Sequence, residues 1–366
     1  MVAPDDQINF ETKLDQYGFR YRIIVDNVES ILEEERRERR AVPFMSLGNV
    51  TFRSYMFHSE QNAYLKRLAQ DYPDIVTLEN FGTSYEGREM LLLRISSGPS
   101  PNAVPKPTIF VDAGIHAREW IAPPVALYII QQLVENPSNA ALYENVDWAV
   151  IPCLNPDGYQ YTQDQNRFWR KTRQPNVDSL CSGVDGNRNF GYYWMYAGAS
   201  SEPCSDTYAG PEAFSAPETA ALRDWILNNK DTVKLYLTFH SYGSMLLYPW
   251  GYDPIEPDDN DVLYNLALSV ANAIEEASTI GTSYLQYIGP SAMVLYSAAG
   301  GSDDWVKAEG GVDLSYTIEL PYGNSSFYFI NPASDILPIV QETWAGMKVY
   351  HKYIEDNFWT DLQPKP

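Results

Sequence analysis

His116 and Glu119 stand three residues apart in the run Gly114-Ile115-His116-Ala117-Arg118-Glu119-Trp120, and His240 and Glu319 occupy comparable settings later in the chain. Imidazole and carboxylate are ordinary zinc ligands, and a hydrolytic zinc keeps three protein ligands with a position open for water. Two histidines, one ligating glutamate and a second, free glutamate supply that set, so the four residues read as a hydrolytic zinc site. The choice of ligands is narrow, because the chain has only four histidines: His58, His116, His240 and His351. His58 and His351 fall in polar, helix-like stretches and are expected at the surface.

A lone His-x-x-Glu says little; its surroundings say more. Thr108-Ile109-Phe110-Val111 reads as a buried strand, and His116 follows a glycine turn just past its end. Leu235-Tyr236-Leu237-Thr238-Phe239 is a second such run with His240 at its C-terminal edge. Leu314-Ser315-Tyr316-Thr317-Ile318 is a third, and Glu319 follows it before Pro321. In open α/β sheets ligands bind in the crevice beyond the carboxyl ends of the strands. Three strands therefore deliver the candidate groups to one edge.

The elements that must position them alternate along the chain from about residue 45. Helical patterns cover residues 59–71, 123–135, 215–228, 261–277 and 334–356, and strand-like runs cover 75–81, 90–95, 108–112, 148–151, 234–239 and 315–319. Such alternation predicts an α/β domain with a mixed, largely parallel sheet covered by helices. Ser215-Ala216-Pro217-Glu218 has the form of a capping box with Pro in the first turn. There is no internal repeat and no low-complexity segment.

With 366 residues, 45% of them hydrophobic, the chain can build one large core. No apolar run approaches the roughly 20 residues of a membrane span. A net charge of −22 argues against nucleic acid as a partner. Met1-Val2-Ala3-Pro4-Asp5-Asp6 has neither the basic nor the apolar region of a signal peptide, which leaves an intracellular chain or one incomplete at this end. Cys181 and Cys204 flank a loop that a disulfide could close, contributing roughly 3 kcal/mol. Cys153, in an apolar run, reads as a buried free thiol. Asn49-Val50-Thr51 and Asn324-Ser325-Ser326 are glycosylation triplets compatible with secretion.

Residues 26–40 read as a helix with an acidic start and a basic end, matching the helix dipole. Arg36, Arg37, Arg39 and Arg40 precede Ala41-Val42-Pro43, and trypsin-like enzymes cut after exposed Arg in mobile segments. The segment is therefore expected to be a cleavable hinge.

Six segments occur in this order: Gly-Ile-His116-Ala-Arg118-Glu119-Trp, Asn155-Pro-Asp-Gly-Tyr, Asn166-Arg167-Phe-Trp-Arg-Lys-Thr-Arg, Val-Asp185-Gly-Asn187-Arg188-Asn, Phe-His240-Ser-Tyr242-Gly and Thr-Ile-Glu319-Leu. Together they closely resemble the digestive zinc carboxypeptidases of the carboxypeptidase A and B family, over residues 45–355. The resemblance implies that family's fold: one domain with an eight-stranded twisted sheet, helices on both faces and one zinc ion per chain. Residues 1–41 resemble the end of the family's propeptide, with its last helix, last strand and connecting helix, ahead of a catalytic domain at 42–366.

Carried over, the family pattern makes His116, Glu119 and His240 the zinc ligands and Glu319 the general base. Arg167 looks like the oxyanion-stabilising group. Asn187 and Arg188 match the pair that grips a C-terminal carboxylate, Tyr296 the mobile tyrosine that closes over substrate, and Arg118 and Tyr242 the outer subsites. Asp185 resembles the carboxylate that orients His116. Asp303 falls at the base of the specificity pocket, where a carboxylate implies carboxypeptidase B-like release of C-terminal Arg or Lys; Gly251 and Ser291 fit neither subtype cleanly. The implied partners are peptides with a free C-terminal carboxylate, a trypsin-like activating protease and proteinaceous carboxypeptidase inhibitors. The implied protein is a secreted, monomeric zymogen.

Three alternatives stand beside this reading. A-like specificity for aromatic and aliphatic ends would need an apolar pocket base. An inactive carboxypeptidase-like binding protein would ordinarily lack Glu319 or a ligand. A retaining glycosidase using Glu119 and Glu319 gives no role to His116, His240 or Arg188.

Overall fold

A computed structural model of the chain describes residues 2–23, 25–41, 48–100, 104–322 and 329–359. Its strands are β1 (Val76–Thr83), β2 (Glu89–Ile95), β3 (Thr108–Ala113), β4 (Asp147–Ile151), β5 (Val233–Ser241), β6 (Met245–Tyr248), β7 (Ile288–Pro290) and β8 (Leu314–Leu320). They form one eight-stranded sheet in the order β1-β2-β4-β3-β5-β8-β6-β7. The central pairs β4/β3, β3/β5 and β5/β8 are parallel; β1/β2, β2/β4 and β6/β8 are antiparallel. Every residue of β3 is buried, the signature of a parallel strand covered on both faces.

The longer helices are α1 (Gln7–Gln16), α2 (Val28–Ala41), α3 (His58–Asp71), α4 (Ala122–Val134), α5 (Pro156–Asp164), α6 (Pro217–Asn229) and α7 (Asn260–Ala277). Two short ones, α8 (Ser291–Val294) and α9 (Ser302–Ala308), precede the long α10 (Ala333–Ile354). One face of the sheet packs on α3, α4, α7 and α10 through a large cluster that includes Val111, Val125, Leu237, Val270 and Tyr350. The opposite face packs on α6 and α9 through Phe110, Trp225, Tyr236 and Trp305, with Phe110 and Trp225 ring centroids 4.7 Å apart. The disulfide Cys181–Cys204 ties the loop above the sheet, and Cys153 is a buried free thiol.

Several expectations are corrected. His58 and His351 are not surface residues: they are 5% and 2% exposed. The His351 ring, on the inner face of α10, stacks parallel to Trp148 with centroids 6.2 Å apart. The capping box does not form, because α6 begins at Pro217 with Ala216 as its cap and Glu218 is buried. The side chain of Asn189 caps instead, its Oδ1 accepting from the Ala216 amide at 3.1 Å and the Thr219 hydroxyl at 2.7 Å. No strand forms among the described residues of the segment between α1 and α2, where Phe19, Tyr21 and Ile23 lie exposed with no neighbouring strand to pair with. The sheet has the eight strands the resemblance implies, but β6 and β7 fall outside the six strand-like runs of the sequence; they are four and three residues long, and Gly289-Pro290 reads locally as a turn. Asn324 and the proposed boundary at residue 42 lie outside the described residues. Among those described, no helix is long and apolar enough to cross a membrane.

Candidate metal centre and substrate pocket

The parallel strands end where the sequence places the chemistry. Beyond β3 the chain turns at Gly114, whose φ of 72° lies in the left-handed region and where a Cβ would press within 3.3 Å of Pro123. That turn throws His116 and Glu119 over the sheet edge. His240 and Glu319 sit near the ends of β5 and β8, side by side in the register of that pair.

His116 Nδ1 lies 2.8 Å from Glu119 Oε1 and 3.1 Å from His240 Nδ1, and His240 Nδ1 is 3.1 Å from Glu119 Oε2. All three residues are at most 3% exposed. His116 Nε2 meets Asp185 Oδ1 at 3.0 Å, so its ring proton is directed there and its Nδ1 is bare. Two ring nitrogens and a carboxylate oxygen, mutually within 4.8 Å, offer three ligands to a cation. The donor set fits zinc, and among the described residues no other group of three such side chains converges in this way.

A cavity of about 360 Å³ opens above this centre. It is lined by all four residues with which the sequence reading began and by Arg118, Asn187, Arg188, Tyr242, Tyr296 and Asp303. A larger groove, about 970 Å³ between α7 and α10, gathers none of the candidate residues. Burial raises the Glu319 carboxyl above its ordinary range, against the pull of His240. Arg188, 4% exposed, is braced by the carbonyls of Gly198 and Asn187 at 2.9 and 2.8 Å. Gly300 lets the chain pass there: its φ is 78°, and a Cβ would fall 2.4 Å from the Arg188 carbonyl oxygen. Asn187 Oδ1 accepts from the Ser302 amide at 2.9 Å. Tyr296 is 61% exposed at the mouth. Arg118 lies over the Phe329 ring at 4.6 Å, and Tyr242 packs edge-on against the same ring.

Asp303 lines the cavity and is 5% exposed. Its Oδ2 accepts from Thr317 Oγ1 at 3.1 Å and Ser291 Oγ at 3.3 Å, both neutral hydroxyls, and no salt bridge to it is found among the described residues. Asp304 beside it turns away and takes the amide hydrogens of Gly251 and Tyr252, each at 2.8 Å. Burial, together with the charge of Asp303, pushes its carboxyl well above the ordinary range.

One candidate does not join the others. Arg167 does not line the cavity; its Nε is gripped by both carboxylate oxygens of Glu35 from α2, at 3.1 and 2.9 Å, and its guanidinium lies on the Trp120 ring. The arginine of this basic run that lines the cavity is Arg170, three residues on. The backbone explains the exchange: the Trp169 amide closes a turn onto the Asn166 carbonyl, and the Ala117 amide bonds the Arg170 carbonyl at 3.0 Å. Arg170 is thereby laid beside His116. Its Nε and Nη2 each stand 3.0 Å from Asp185 Oδ2, and its Nη1 is 3.7 Å from Glu119.

The donor set and the cavity above it fit a zinc hydrolase, and comparison with known proteins gives the class. Residues 61–346 match the zinc carboxypeptidase family and residues 1–35 the carboxypeptidase activation peptide, so the chain belongs to the zinc carboxypeptidases and carries the pro-segment sequence of a zymogen. It is 46% identical to carboxypeptidase B of Astacus astacus over 310 residues, 83% of this chain and 98% of that one. The crystal structure of carboxypeptidase A from Helicoverpa armigera superposes with a TM-score of 0.90 at 36% identity, covering 98% of this chain and 88% of that one. The structure of bovine thrombin-activatable fibrinolysis inhibitor in complex with tick carboxypeptidase inhibitor matches at TM-score 0.77 and 31% identity, covering 84% and 99%. The chain is a zinc-dependent exopeptidase.

Proposed function

We propose that this carboxypeptidase removes C-terminal Arg and Lys from peptides, and that the observation carrying this reading is Asp303 in the cavity lining. A buried carboxylate whose hydrogen-bond partners among the described residues are neutral hydroxyls wants a cation. A substrate Lys or Arg side chain reaching down from the metal centre supplies it. An apolar residue at this position would be needed for the A-like alternative, and the intact set of Glu319, His116, Glu119 and His240 speaks against an inactive binding protein.

His116, His240 and Glu119 would hold zinc, which when bound would supply a Lewis acid for the carbonyl and for water. The chain's own residues do the rest. Arg188 and Asn187 hold the terminal carboxylate, a task suited to the guanidinium fork. Glu319 takes the proton of the attacking water and passes it to the leaving amine; its burial-raised basicity suits both directions near neutral pH. Arg170, not Arg167, faces the charge that develops on the carbonyl oxygen. Tyr296 folds over the occupied cavity and excludes water, while Arg118 and Tyr242 bind the preceding residues. Asp185, held by Arg170, orients His116.

Residues 1–41 would act as the pro-segment and 42–366 as the enzyme, with a trypsin-like protease cutting within the cluster at 36–40. The disulfide fits a secreted, oxidising setting. Monomeric action suits a site built wholly from one chain, and proteins resembling the tick inhibitor are candidate partners.

After trypsin treatment, a blocked dipeptide ending in Arg should be hydrolysed, and both phenanthroline and amidation of its C-terminal carboxylate should abolish turnover, with added zinc restoring the first loss. Turnover of the amidated substrate, or turnover indifferent to the chelator, would contradict the proposal.

A further inference from the structure

Behind His240, β3 and β5 carry a second polar pair. Their parallel register sets Asp112 beside Thr238. The two-residue period of a strand puts Thr238 and His240 on the same face of β5. Thr238 Oγ1 lies 2.9 Å from Asp112 Oδ1 and 3.3 Å from His240 Nε2. Asp112 and Thr238 are wholly buried, and His240 is 1% exposed.

The direction of these bonds follows from counting hydrogens. A threonine hydroxyl has one hydrogen, and an ionised carboxylate only accepts. Asp112 Oδ1 lies closer to the Thr238 hydroxyl, at 2.9 Å, than His240 Nε2 does, at 3.3 Å, and it accepts from that hydroxyl. The shorter bond therefore carries the hydroxyl hydrogen to Asp112. At 3.3 Å the same oxygen is left to accept, and the His240 ring must be the donor through Nε2. A neutral imidazole protonated at Nε2 has a bare Nδ1, and Nδ1 is the atom that faces His116 and Glu119.

We infer that Thr238 and Asp112 are positioning residues for the metal: the file from His240 Nε2 through the Thr238 hydroxyl to Asp112 fixes the tautomer and the angle of His240. It does for this ligand, through one intervening hydroxyl, what Asp185 does directly for His116. Neither Asp112 nor Thr238 lines the cavity, so their effect runs through His240 and metal binding. Outer hydrogen bonds of this kind make a ligating imidazole more basic and hold its lone pair on the ion.

The test is zinc affinity of the full chain, measured by competition with a chromophoric chelator, alongside the melting temperature of the metal-free protein. Thr238→Val keeps the shape and removes the hydroxyl; it should weaken zinc binding about 10–100-fold. Thr238→Ser keeps the hydroxyl and should stay within about threefold of the parent, which separates the hydrogen bond from packing. Asp112→Asn, close in shape, should also weaken zinc binding by about tenfold. A Thr238→Val protein with a lowered melting temperature but unaltered zinc affinity would overturn the inference. Should that variant fail to fold, Asp112→Asn with parental affinity would overturn it equally.

Discussion

Asp303→Ile should turn an enzyme selective for Arg and Lys ends into one that prefers aromatic and aliphatic ends. The parent carboxylate lines the cavity almost wholly buried, and among the described residues its hydrogen-bond partners are the Thr317 and Ser291 hydroxyls. Removing one member of a buried, hydrogen-bonded charge pair costs about 2–5 kcal/mol, so kcat/KM for an Arg end should fall on the order of 10²–10³-fold. A Phe end moves the other way, because its ring no longer has to desolvate a carboxylate. The variant should keep its zinc and its response to phenanthroline, since Asp303 touches neither the ligands nor Glu319. Steady-state kinetics on matched substrates reads the change, and a variant that still prefers Arg by the parental factor would show that Asp303 plays no part in recognition.

Arg170→Ala and Arg167→Ala should differ sharply although they lie in one basic run. Arg170 faces the cavity beside Glu119, and loss of a fixed donor aimed at the developing oxyanion lowers kcat by about 10²–10³-fold. Arg167 lies outside the cavity, and its bonds to the carbonyls of Arg118 and Phe329 remain when trypsin removes Glu35 with the pro-segment. Its loss should leave kcat of the trypsin-treated enzyme within about fivefold, or roughly 1 kcal/mol. Arg170 also braces Asp185, so zinc content must be measured for both variants before the rates are compared. Equal kcat losses in two fully zinc-loaded variants would contradict the separation of roles.

These two arginines also mark the limit of what the sequence discloses. His116, Glu119, His240 and Glu319 were legible because scarce residue types stand just beyond apolar runs. A strand buried on both faces announces itself, as β3, β5 and β8 do. Arg167 and Arg170 are chemically identical and three residues apart, and only a turn and one backbone bond to Ala117 decide which enters the cavity. Asp112 and Thr238 are ordinary residues of strand-like runs; their pairing exists only in the register of β3 against β5. His58 and His351 looked like surface residues because their helices are locally polar, while the packing that buries them comes from distant elements. The Ser215 capping signature failed for a similar reason: Asn189, remote in sequence, offers the Ala216 amide a better-placed acceptor.

The most direct measurement is the ratio of kcat/KM for two blocked dipeptides, one ending in Arg and one in Phe, on the trypsin-treated parent enzyme. A buried carboxylate lining the pocket predicts a ratio of at least about 10² in favour of Arg, the equivalent of roughly 3 kcal/mol of charge recognition. A ratio near one, or one favouring Phe, would leave the zinc chemistry standing and contradict the assignment of Asp303 as the residue that reads the substrate's end.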